Sequence, residues 1–206
     1  MAKEEFDKLV YERECQKAGF KLIAGMDEVG RGPLAGPVCV CCVIMPLEED
    51  KLISGIDDSK KLSEKKRNSL AEEIKEKAIC YSIQMVDEKT IDEINILNAT
   101  KLCMKRAIEG MKIKPDIVLV DAIDKLDTDV KLRGIIKGDA KSYSIGAASI
   151  LAKVTRDNLM AELSEKYPEY GFEKHKGYGT KMHIDAIKQH GVCEIHRRSF
   201  LKFLDE

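Results

Sequence analysis

A chain of 206 residues, 44% of them hydrophobic, is long enough to bury a sizeable core, and a formal net charge of −1 excludes a protein coated in positive charge. Any nucleic-acid contact must therefore come from basic residues placed locally. The seven cysteines are an odd count without the spacing of a secreted disulfide scaffold, and no secretory or membrane-length apolar run appears, so reduced thiols and a cytoplasmic location are expected.

In chain order, a polar helix is predicted over residues 4–17, followed by two short β-branched strands around Leu22 and Val40. A charged surface helix follows over residues 62–77, with Ser63 as its N-cap, and leads into a strand at 79–86. Residues 91–111 read as mostly helical and feed an apolar strand at 116–120. A last strand at 131–136 and a long helix at 144–166 follow; Pro168 and Gly171 break the pattern before a short helix at 181–189. Three early strands and then alternating helix and strand predict an α/β fold, a mixed sheet with helices on its faces. One domain is expected over 1–206, with a helical C-terminal appendage from about residue 167.

The segment MDEVGRGPLAGPV, residues 26–38, places adjacent carboxylates, Asp27 and Glu28, near a strand end beside a glycine-rich turn. Gly30 and Gly32 permit positive φ and close backbone approach, and Arg31 between them offers a fixed charge to a phosphate. A third carboxylate, Asp121, ends the 116–120 strand, where open α/β sheets build their sites. Asp139 follows Gly138 near a helix entrance. Four such acids suit Mg²⁺ or Mn²⁺, which favour oxygen ligands. Consecutive residues of a strand point to opposite faces, so either the strand ends at Asp27 and Glu28 or the turn redirects Glu28.

Among the basic residues, Lys60, Lys61, Lys65, Lys66 and Arg67 form a run whose default explanation is a solvated helix face. Ser149, Lys153 and Arg156 recur at i, i+4 and i+7 and share a face that can meet phosphates, with pairing of Arg156 to Asp157 or Glu162 as the alternative. Cys39 and Cys42 form a CxxC without a second pair in the chain, which favours core packing over zinc. The spacings of His175, His183, His190 and His196 match no compact ligand pair, and loop, capping or phosphate-contact roles are expected.

The blocks DEVGRGPLAGPV, DDSKKLS, IVLVDA, KGDAKSYSIGAASILAKVTRD, GYGTKMHIDAIKQHG and HRRSF, in order over nearly the whole chain, together resemble ribonuclease HII. Ribonuclease HIII is less similar, since it usually carries an extra N-terminal domain and a GKG-like tripeptide. The resemblance implies a ribonuclease H-like fold and identifies Asp27, Glu28, Asp121 and Asp139 as metal-binding catalytic carboxylates. It also implies that Gly30, Arg31 and Gly32, with Tyr178 of the GYGT block, recognise an RNA to DNA junction, and it places Lys60 near the nucleic-acid groove. The expected activity is hydrolysis of the RNA strand of RNA/DNA hybrids and nicking 5′ to ribonucleotides embedded in duplex DNA. Products would carry 5′-phosphate and 3′-hydroxyl ends. Two Mg²⁺ or Mn²⁺ ions about 4 Å apart would activate water and stabilise the leaving oxygen. A monomer without membrane contact is expected. A carboxylate-dependent DNA junction nuclease and a catalytically silent hybrid-binding module are the alternatives.

Overall fold

The computed structural model describes residues 7–121 and 125–202. One five-stranded sheet runs in the order β3-β2-β1-β4-β5, with β1 at Ile23–Val29, β2 at Val38–Ile44, β3 at Cys80–Val86, β4 at Ile117–Asp121 and β5 at Lys131–Ile135. β1 to β3 form an antiparallel meander, whereas β4 and β5 are parallel to β1. The mixed sheet and flanking helices agree with the expectation, and no described helix is long and apolar enough to cross a membrane.

β2, VCVCCVI, is buried throughout because both faces of the sheet are covered. Its even-numbered residues pack with Ala99, Cys103 and Met104 of α3 (Glu88–Glu109), and Cys39, Cys41 and Val43 pack with Ala148 and Leu151 of α5 (Tyr143–Lys166). The odd spacing of Cys39 and Cys42 therefore sends their thiols to opposite faces, so they cannot share an ion. Burial pushes the Cys42 thiol up to about 12, as expected of core packing.

Side-chain caps fix the helix starts, at Ser63 as expected and, for α3, three residues earlier than expected. Ser63 accepts from the Lys66 amide at the start of α2 (Glu64–Lys77), and Asp87 does the same for Thr90 at the start of α3. Asn95 interrupts α3 with φ of 65°, and its side chain recaps the continuing helix by accepting from the Asn98 amide. The N-terminal helix is shorter than expected: α1 spans Val10–Lys17, because the Asp7 carboxylate takes the Leu9 amide and forms a turn there. Residues 4–6 of that expectation lie outside the described residues. Two short elements were not anticipated, α4 (Gly138–Lys141) and α6 (Phe172–His175), each only one turn long. α7 spans Lys181–His190.

α5 lies so close to β1 that a Cβ at Gly25 would stand 2.0 Å from the Ser144 carbonyl carbon. Glu12 of α1 secures this junction from the other side. Fully buried, it accepts from the Ser142 hydroxyl at 2.6 Å and the Ser144 amide at 2.9 Å, at the helix N-terminus where a carboxylate is favoured. Glu12→Ala should lower the unfolding free energy by about 2 kcal/mol in urea titrations, whereas Glu12→Gln, which keeps the acceptor, should retain most of it.

Candidate active site

β1 remains a regular strand through both acids, with Asp27 opposite Cys41 and Glu28 opposite Val40. Neither expected solution to the alternation problem is the one adopted. Instead, β4 pairs with β1 only as far as Met26 and Val120, so Asp27 and Glu28 extend past the last pair to the neighbouring strand. Side chains on either face can then reach the sheet's end. Asp27 shares the parity of Gly25, which meets α5, and Glu28 shares that of Met26, which faces α3. In-phase parallel pairing puts Asp121 on the Asp27 side, at the C-terminal end of β4. Asp139 comes from α4, whose first amide, Gly138 N–H, donates to Asp121 Oδ1 at 3.1 Å.

The four acids line one cavity of about 210 Å³. Burial, with Glu28 next to it, holds the Asp27 carboxyl well above the usual range, against a stabilising Ser149 hydrogen bond. Glu28 is raised by burial and by Asp121, against Arg31, whose Nη1 lies 3.3 Å from its Oε1. Glu28 Oε2 is buried without a partner. Asp139 is raised by burial, Asp58 and Asp121, against Lys60. This crowding of carboxylates is the condition a cation relieves, and the donors are all hard oxygens. Among the described residues, no three ligand groups yet converge tightly enough to hold an ion.

The expected substrate residues divide. Lys60, Lys153 and Tyr178 line the same cavity; Lys60 is exposed with Nζ 4.0 Å from Asp139 Oδ2, and Lys153 pairs with Asp157 at 2.7 Å. Ser149 is buried, sharing a 2.9 Å hydrogen bond with Ser59 while supporting Asp27. Tyr178 is 42% exposed, and a Cβ built on Gly32 would meet only its ring, at 3.7 Å. Nothing within the fold requires glycine at Gly32, so the space above that backbone is left open. Gly30 differs, with φ of +91° and with Arg156 where its Cβ would stand.

Arg156 turns inward, against expectation. It neither faces phosphates nor pairs with Asp157 or Glu162; it is fully buried and donates to the carbonyls of Pro37, Lys176 and Ala35. Arg197, equally buried, donates to the carbonyls of Gly30, Arg31 and Gly36. The glycine-rich turn is thus pinned from beneath by two guanidinium groups without a carboxylate, and burial lowers Arg197 to about 9. Sequence reading missed Arg197 as a structural element; the HRRSF block was its only signal.

The histidines also resolve. His175, His183 and His196 are buried, which removes the phosphate-contact option for them, and they pack under the Tyr178 loop with His175 stacked on His183 at 4.5 Å. His190 is exposed at the end of α7.

A family model described as ribonuclease HII matches residues 24–203. The ribonuclease HII of Caldicellulosiruptor bescii is 58% identical over 191 residues, covering 93% of this chain and 92% of that protein. That of Acetivibrio thermocellus is 56% identical over 193 residues, covering 94% and 75%. Among solved structures, the ribonuclease H2 of Pyrococcus horikoshii superposes with a TM-score of 0.74 at 28% identity, covering 90% of this chain and all of that one.

Proposed function

The chain belongs to the ribonuclease HII family, and from that premise we propose how its residues divide the work. The protein is a divalent-metal-dependent endoribonuclease that acts on RNA/DNA hybrids and nicks duplex DNA at embedded ribonucleotides. The observation that supports the assignment of its site is the meeting of Asp27, Glu28, Asp121 and Asp139 in one cavity with Tyr178.

The oxygen-only donor set, the like-charge crowding and the unpartnered Glu28 Oε2 fit hard divalent cations, and Asp27, Glu28, Asp121 and Asp139 are the residues that would hold them, as two Mg²⁺ or Mn²⁺ ions. When bound, such ions supply the Lewis acidity that activates water and stabilises the leaving 3′ oxygen, giving 5′-phosphate and 3′-hydroxyl ends. The chain's own residues orient and select. Ser149, hydrogen-bonded to Ser59, favours the ionised form of Asp27, and the Gly138 amide donates to Asp121. Lys60 and Lys153 stand where the scissile strand's phosphates would pass. The 2′-hydroxyl distinguishes ribose, and the turn formed by Gly30, Arg31 and Gly32 admits it at Gly32, the glycine whose Cβ side is open, with the Tyr178 ring against the neighbouring sugar.

Cleavage of end-labelled duplexes containing no ribonucleotide, one ribonucleotide or an RNA tract tests this reading. The second and third should be cut, the second on the 5′ side of its ribonucleotide, and the first left intact. Cutting of all-DNA junctions would favour a junction nuclease, and binding without cutting a silent module. A sharper test uses Gly32→Ala. Since the added methyl meets only the Tyr178 ring, the melting temperature should stay within about 2 °C of wild type. Single-turnover nicking at one ribonucleotide should nonetheless fall on the order of tenfold, because the methyl occupies the approach path of the ribose.

A further inference from the structure

Behind Tyr178 lies a chain of hydrogen bonds that touches none of the four carboxylates. The Cys193 amide donates to His196 Nδ1 at 2.9 Å, His196 Nε2 meets His183 Nε2 at 3.0 Å, and His183 Nδ1 meets the Tyr178 carbonyl at 3.0 Å. Only one arrangement of protons satisfies all three contacts. His196 Nδ1 must accept, so its proton is on Nε2 and donates to His183; that nitrogen accepts, so the His183 proton is on Nδ1 and donates to Tyr178. Both rings are then neutral, since a second proton on either would set N–H against N–H at the centre or against the Cys193 amide.

The surroundings keep the chain dry and directed. Phe172 stands edge-on to His183 at 5.3 Å, and His183 and His196 are almost without solvent exposure. The loop that they hold is constrained: Lys176 and Gly177 both adopt positive φ, 52° and 85°, and Lys176 is not a glycine. Its turn is clamped by backbone bonds and by Arg156, but His183 is the side chain that reaches the Tyr178 peptide itself.

We propose that His183 and His196 form a directional relay that positions Tyr178 over Gly32 for the reading of ribose, making both histidines specificity-determining positioning residues. This rests on the proposed role of Tyr178. A single ribonucleotide offers one register and depends on that placement; an RNA tract offers a ribose at every register and tolerates a displaced ring better.

The test compares Tyr178→Ala, His183→Leu, His183→Asn and His196→Gln with wild type on the single-ribonucleotide and RNA-tract duplexes, with Mn²⁺ titrations of activity. His183→Leu should slow single-ribonucleotide cleavage ten- to a hundredfold, as sub-ångström to ångström misplacement does, while tract cleavage falls no more than about threefold. The Mn²⁺ midpoint should move less than about twofold. His183→Asn, whose amide nitrogen takes the place of Nδ1, should recover most of the loss. His196→Gln, which keeps the donor to His183 but not the acceptor for Cys193, should show an intermediate loss. Ring ¹⁵N spectra of wild type should show the Nδ1–H form of His183 and the Nε2–H form of His196; the reverse forms overturn the relay whether or not any variant folds. Should Tyr178→Ala keep wild-type selectivity, the role proposed for the tyrosine fails; should it lose selectivity while folded His183→Leu or His196→Gln keeps it, only the relay fails.

Discussion

Asp121→Asn should cleave RNA/DNA hybrids at least on the order of a thousandfold more slowly than wild type, while remaining folded and still binding the hybrid. The amide keeps an oxygen to accept from Gly138 N–H, so the entry to α4 should be undisturbed. What it loses is the charge at the end of β4, between the acids contributed by β1 and α4. Asp27→Asn and Asp139→Asn should behave alike, and chelation of divalent ions should reproduce the loss in wild type. Single-turnover rates, hybrid binding by fluorescence anisotropy and circular dichroism together check this. Near-normal cleavage by folded Asp121→Asn would remove the central acid from the mechanism.

The same crowding predicts an opposite effect on stability. In chelated protein, Asp27, Glu28 and Asp139 ionise less readily folded than unfolded, so the native state holds more protons through that window. Their contribution is fully present below about pH 4 and is lost as pH rises through the folded values. Asp27→Asn removes the most buried of these charges and should raise the neutral-pH melting temperature of the chelated protein by about 2–4 °C, roughly 1 kcal/mol for a chain of this size. Melting curves between pH 4 and 8, with and without chelator, measure both signs.

Arg197→Met should be the most damaging single change outside the carboxylates. Removing a buried, unpaired guanidinium relieves its desolvation and its repulsion from Arg156, which by themselves favour the substitution. Against this stand the carbonyls of Gly30, Arg31 and Gly36, each losing its donor beneath the turn. At about 1–3 kcal/mol per unsatisfied buried group the losses dominate, and a net cost of about 3 kcal/mol, or roughly 6–12 °C in melting temperature, is expected. Nicking at a single ribonucleotide should fall a hundredfold or more at temperatures where the variant is folded, because the turn loses its shape. Arg197→Lys should not restore it: one ammonium cannot span carbonyls that a planar fork reaches together. Thermal melts and single-turnover assays on both variants decide the matter; wild-type nicking by Arg197→Met would show that the turn holds itself.

Much of the fold was legible in the chain. The apolar, β-branched runs of β2 and β4, the N-cap Ser63 and the breaks at Pro168 and Gly171 are local signals, written over a few neighbouring residues, whereas β1, expected around Leu22, runs on from Ile23 to Val29. The candidate acids were visible only through the blocks taken together, because a pair of acids before a glycine turn is by itself equally the mark of an ordinary hairpin connection. The one-turn α4 and α6 were not, since a single turn carries too little periodicity to register.

What only the tertiary structure decided depends on partners far apart in sequence. Whether Asp27 and Glu28 could serve one site turned on where β4 stops pairing with β1, some 90 residues later in the chain, and not on β1 itself. Arg156 has the helical spacing of a phosphate-facing residue, yet the carbonyls of Ala35 and Pro37, about 120 positions away, draw it inward. Arg197 reaches back across about 165 positions to Gly30 and Arg31. A side chain's chemistry is carried by the sequence, but whether a buried arginine or histidine finds enough acceptors to stay inside is settled by the loops that the fold brings around it.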